Sequence, residues 1–188
     1  IIGIKRNNDG KITSITDALE SNEHMSMVFI ACEDVADETI IKQIKSDLSN
    51  HLRAVQYAHK DQRSMSTQLN KIKTSIPSSK LLNKNGRNEW HNLITWLQNQ
   101  NFSFFGSLEI QHTKNSYEII KRQGICKKNL SFVNQQMDMD HLIIHGNTKP
   151  FILDQTTIES PIQRFERLIK ISFRFPNKTG STQYIFLG

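Results

Sequence analysis

Cysteine and proline are scarce in this sequence, and long apolar runs are missing from it. The two cysteines, Cys32 and Cys126, stand far apart with no metal-type spacing. A disulfide framework is therefore not expected, and both are read as reduced, buried thiols of a cytosolic protein. No apolar stretch approaches the roughly 20 residues that span a bilayer. No basic-then-apolar leader with a small-residue cleavage site opens the chain, so a cytoplasmic protein away from membranes is expected. Also absent are Gly-x-Gly-x-x-Gly, a glycine-rich phosphate loop ending in Lys-Ser/Thr, and a Gly-x-Ser-x-Gly elbow. Nothing in the sequence reads as a catalytic centre, a cofactor cradle or a metal site.

What is present describes an ordinary globular chain. Its 188 residues are 37% hydrophobic and 22% charged, enough for one generous domain or two small ones. The net charge of +6 allows weak attraction to nucleic acid or acidic partners. The basic residues are dispersed, however, and the longest clusters are pairs such as Lys121-Arg122 and Lys127-Lys128. A solvated basic surface is the simpler reading. The chain opens inside an apolar run at Ile1 and closes on Tyr-Ile-Phe-Leu-Gly188. Natural termini are usually polar, so a piece of a longer protein is expected.

Periodicity divides the chain into two units of an α+β fold. The first, 1–75, opens with a hairpin: strands 1–6 and 11–15 flank Asn7-Asn8-Asp9-Gly10, residues that tolerate positive φ. A strand over 24–32, apolar on both faces, is expected in a sheet interior. A helix over 37–57 follows, capped by Asp34 or Asp37. One stripe carries Ile40, Ile41, Ile44, Leu48, Leu52 and Val55. Together these make a two-layer α/β sandwich. Met65, Leu69, Ile72 and Ile76 continue at helical spacing, and a linker is placed at 76–87, where Pro, Ser, Asn and Gly concentrate.

The second unit, 88–188, reads as mainly antiparallel β with one or two helices. Trp90, Leu93, Ile94 and Leu97 form a short amphipathic helix. Phe102, Phe104, Leu108 and Ile110 share the parity of a strand, with Gly106 marking a bulge or a close backbone approach. Further strands are expected at 117–120 and 142–144. The last hairpin points Ile169, Ile171, Phe173 and Phe175 to a core face and Lys170, Ser172 and Arg174 to a wet back, turning at 176–180.

Three constellations are candidates for chemistry. His141 and His145 have the spacing of a helical metal pair, but Leu-Ile-Ile between them argues for a strand. There they would stand about 13 Å apart, too far to share an ion. Asp138 and Asp140 read as a turn. Lys170-Ile-Ser-Phe-Arg-Phe175 interleaves cations with aromatics as a base-stacking platform would, yet the phenylalanines share their face with isoleucines rather than with the cations. A small basic nucleic-acid-binding module and a purely structural interaction domain are the alternative readings.

The residues also resemble a known family. "EWHNLITWLQNQNFSFFGSLEI" resembles the segment of the large bacterial NAD-dependent glutamate dehydrogenases in which a helix ending Trp-Leu leads into a Phe-Thr-Phe-Leu-Gly-Tyr-type strand. Trp96, Leu97, Phe102, Phe104 and Gly106 match; Phe105 and Ser107 replace the usual Leu and Tyr. "IKRNNDGKITSI" and "HMSMVFIACEDVADETIIKQI" are similar to that family's hairpin and its following strand and helix. In "SPIQRFERLIKISFRFPNKTGSTQYIFLG", Ser160, Arg164, Phe186 and Gly188 match, while Gln163 replaces a His and Ile185 an Arg. The resemblance implies an amino-terminal regulatory region: a partial ACT-like unit followed by a PAS-like domain, with no cofactor of its own. The parent would use NAD to deaminate glutamate oxidatively to 2-oxoglutarate. Expected partners are the parent's catalytic region, neighbouring subunits of a homo-oligomer, and an amino-acid or metabolite effector. The effector or interface site is placed at Phe105, Gly106 and Ser107, where an extra apolar side chain meets exposed backbone.

Overall fold

The computed structural model describes residues 2–26, 29, 31, 37–76, 82–114, 116–127, 142–143, 149–163, 166–178 and 180–188. The chain falls into two compact units, Ile1–Lys42 and Gln43–Gly188. Both are built on antiparallel sheets, so the fold is α+β. The expected units met at 76–87; the compact units instead group most of the long helix with the C-terminal sheet.

In the first unit β1 (Ile2–Arg6) pairs with β2 (Ile12–Thr16) and with β3 (His24–Met25), giving the order β2-β1-β3. The hairpin forms for the local reason expected. The Asn7 side chain accepts the Asp9 and Lys11 amides at 3.1 and 2.9 Å, and Gly10 takes φ +79°. The strand expected over 24–32 is found only as two residues at the edge of this sheet, and Phe29 is exposed. The remainder of that expectation, with Cys32 and Asp34, lies outside the described residues.

Helix α1 (Glu38–Ser75) runs 38 residues, well past the expected end at 57. Asp37 caps it, its carboxylate accepting the Thr39 N–H at 2.7 Å. The stripe expected to be buried is not. Ile40, Ile44, Leu48, Leu52 and Val55 are exposed, while Ala54, Ala58, Met65, Leu69 and Ile72 are buried. Helical spacing identified apolar faces correctly, but the sheet lies against the later one. Helix α2 (Lys84–Trp96) starts inside the expected linker, where the Asn83 side chain accepts the Gly86 amide at 2.8 Å. It ends in a π-helical turn, Leu97–Asn101.

The second unit's sheet contains β4 (Gly106–His112), β5 (Tyr117–Gly124), β6 (Phe151–Glu159), β7 (Arg167–Pro176) and β8 (Ser181–Leu187). Their order is β5-β4-β8-β7-β6, antiparallel throughout. One face receives α1 and α2: Leu69 and Ile72, with Trp90 and Ile94, pack on Ile171, Phe173 and Phe186. The Trp90 ring meets Phe173 edge-on at 5.4 Å. The opposite face is also a core, with Leu108, Ile110, Ile185 and Leu187 packed on Ile125, Cys126, Leu142 and Ile143.

That second core corrects three expectations. The back of β7 is not wet, because Lys170 and Ser172 are buried. Residues 142–143 form no strand and cap the core instead, while Ile144 lies outside the described residues. Phe102 and Phe104 do not share a face with Leu108 and Ile110. The strand starts at Gly106, and the phenylalanines before it turn to the helical side while Leu108 and Ile110 face the other.

Candidate functional site

The three residues singled out in sequence separate in the structure. Gly106 carries no bulge. It stands in register with Gly124 and Leu187, and the irregularity of the β4–β5 pairing lies between Glu109 and Ile110. The close approach expected there is present: a Cβ on Gly106 would stand 2.8 Å from Ile125 and 2.9 Å from the Cys126 sulfur. Across the register, Gly124 takes φ +57°, and any side chain there would run into the Phe105 carbonyl. Ser107 is fully buried beneath α1. Phe105 alone reaches a cleft, of about 230 Å³, shared with Ser103, Gln163, Glu166, Arg167 and Ile169. An acid and a base that follow one another on this rim give it both signs of charge.

Ser107 anchors a polar contact between helix and sheet. Its hydroxyl lies 2.9 Å from the Gln68 side-chain oxygen and 3.0 Å from that of Gln123, all three side chains being buried. A hydroxyl has one proton, and Gln68 already directs its NH2 to Glu109 at 3.3 Å. The serine proton thus has two amide oxygens within reach, and it serves one of them at a time. Nearby, Asp61 of α1 accepts the Gly124 amide at 2.7 Å and pairs with Lys127 at 2.7 Å. The Lys127 ammonium also lies 4.9 Å from the Tyr57 ring. Sequence reading did not single out Gln68, Asp61 or Lys127, since each gains its meaning from a partner at least 39 residues away.

The opposite face holds a second polar row. His112 Nε2 lies 2.7 Å from the Gln183 oxygen, and the Gln183 NH2 donates to Ser172 at 2.9 Å. Because that amide oxygen accepts, His112 carries its proton on Nε2. A histidine and a serine in one chain suggest a nucleophile relay, but the glutamine between them has no titratable proton to pass on. The row satisfies buried polar groups and orders the sheet. Beside it the Arg174 Nε donates to Ser181 at 2.7 Å, and burial lowers the guanidinium's pKa. Tyr184, on the helical face, is shifted up by burial and by the Glu109 charge.

Two other expectations have definite outcomes. Phe173 is fully buried and Lys170 nearly so, so the cation–aromatic run of β7 offers no exposed stacking platform. His141, His145, Asp138 and Asp140 lie outside the described residues, as does Arg164. Among the described residues no cluster of three or more His, Cys, Asp or Glu could hold a metal ion. No described helix is long and apolar enough to cross a membrane.

Fold and site together define an α+β chain whose larger unit is a five-stranded antiparallel sheet packed on both faces, with a small charged cleft at its rim. A scan of known protein families found no match, and a search of curated proteins found no similar chain.

Proposed function

We propose that this chain is a non-catalytic regulatory and assembly module of a large cytoplasmic NAD-dependent glutamate dehydrogenase. The collinear sequence resemblance supplies the parent. The observation that carries the modular reading is the sheet order. Numbered within the second unit alone, the strands run second, first, fifth, fourth, third, with the long excursion between the second and third. That order supports a PAS-like assignment, and a hairpin followed by a long helix supports a partial ACT-like one. The parent's NAD chemistry belongs elsewhere in the parent. This module acts by biasing a conformational or oligomeric equilibrium. The opposite charges of Glu166 and Arg167, in one cleft with Phe105, suit a small zwitterion such as an amino acid, with the apolar rim taking its side chain.

The test is to precipitate the native protein with antibody raised against this chain and assay NAD-dependent glutamate oxidation. Activity should come down with a polypeptide much longer than 188 residues. A precipitate without that activity overturns the parent assignment. For the effector, titration with amino acids at about millimolar levels should shift NMR resonances around Phe105 and Arg167, and unmoved spectra remove it.

A further inference from the structure

The first half of α1 carries an apolar seam that the chain leaves open. Ile44, Leu48, Leu52 and Val55 are between 40% and 56% exposed, and Ile41 is partly buried on the same line. From those fractions the open area of these four is on the order of 350 Å² per chain, within the range of patches that mark interaction surfaces on soluble proteins. The buried residues of the same helix, Ala54, Ala58, Met65 and Leu69, occupy a different side of it. The seam is therefore surplus to the chain's own core.

The seam is symmetric about its centre. Ile41, Ile44, Leu48, Leu52 and Val55 are spaced by three, four, four and three residues, the same from either end. This spacing lets two helices lie side by side at a shallow angle. Laying a reversed copy over the first about Leu48 sets Ile41 against Val55, Ile44 against Leu52, and Leu48 against its twin. The ends distinguish the two orientations. On the line of the seam, Asp37 lies before Ile41, while His59 and Arg63 lie beyond Val55. The Thr39 amide bonded to Asp37 holds that carboxyl below its usual pKa, so the acid end stays charged. An antiparallel pair places Asp37 across from the basic end. A parallel pair stacks Asp37 on Asp37 and Arg63 on Arg63, which repel.

We propose that this face of α1 is a homodimer interface, two copies of the chain pairing antiparallel about a two-fold axis at Leu48. It gives a structure to the assembly role in the function proposed above and to that extent rests on that reading. Its test reads self-association alone, so either idea can fail while the other stands. Two seams bring together about 700 Å² of apolar surface, less than a permanent interface buries, so the dimer is a weak and reversible one.

Sedimentation of the chain from about 1 to about 200 µM should show the mass rise from 21.8 kDa towards twice that value. The double change Leu48→Lys and Leu52→Lys, at exposed positions, should hold the mass at the monomer with an unchanged circular dichroism spectrum. In a Cys32→Ser background, Leu48→Cys should form a disulfide-linked dimer on mild oxidation. Ile41→Cys should link to a Val55→Cys chain but not to itself. A wild-type chain that stays monomeric throughout, a folded lysine variant that still dimerises, or an Ile41→Cys chain that links to itself as readily as Leu48→Cys does, each overturns the proposal. If the lysine variant fails to fold, the cysteine pattern decides.

Discussion

Cys126 illustrates how strongly one residue's surroundings set its chemistry. It is fully buried in the core that contains Leu108, Ile125 and Leu142. Burial pushes its thiol up to about 12 from an ordinary 9.0, against a smaller opposite pull from Arg122. The folded protein thus favours the neutral thiol. That contribution to stability is complete below the ordinary value and is lost as pH rises from 9.0 towards about 12, because the unfolded chain ionises first. At pH 8 the native thiol should react with iodoacetamide at least on the order of 100-fold more slowly than in urea, since only the thiolate attacks. Equal labelling rates in the native and unfolded protein would show that the side chain is open. Ser107 and Gly106 make the related point that small residues at the start of β4 serve packing: one bonds α1, the other admits Ile125 and Cys126.

Among the elements, α1 is the informative one, because its two halves treat the same residue types differently. Leu69 is fully buried against the sheet, whereas Leu52 is 56% exposed. Leu69→Ala should cost about 2–5 kcal/mol in urea unfolding of dilute protein. Leu52→Ala under the same conditions should stay within about 0.5 kcal/mol. Similar losses for the two would mean that the seam is buried within the chain. The hairpins were legible in sequence because turn chemistry is local: Asn7 bonds its own turn, and the 176–180 turn closes with the Asn177 amide donating to the Gly180 carbonyl at 3.0 Å. The position of the irregularity in β4 was not legible. Gly106 carries the usual signal for a bulge, but the shift arises three residue pairs further on, between Glu109 and Ile110.

At the scale of the whole molecule, charge and aromatic content point one way in composition and another in space. A net +6 and a Lys-Phe-Arg-Phe alternation describe a chain that could hold single-stranded nucleic acid. In the fold Phe173 belongs to the helical core, and Lys170 is buried on the other face, 4.0 Å from Asp154. Stacking on bases requires rings open beside cations. We therefore expect a flat anisotropy titration with labelled single-stranded oligonucleotides at low salt. Binding that weakens steeply as salt is added would reverse this.

The sequence by itself determined the two hairpins, the helical spacing of α1 and α2 and the alternation of β7, but neither β6 nor the full length of α1. It also determined that Ile171 and Phe173 face a core, because four apolar residues of one parity leave a strand no other stable side. Tertiary structure alone decided how many faces are covered. Lys170 and Ser172 look solvated in sequence and are buried because Leu142 and Ile143, some thirty residues upstream, contribute to a core on their side of the sheet. The seam of α1 looks buried in sequence and is open because the sheet took the neighbouring face. Periodicity is a property of adjacent residues, whereas burial depends on what distant chain arrives, and no local pattern encodes that arrival.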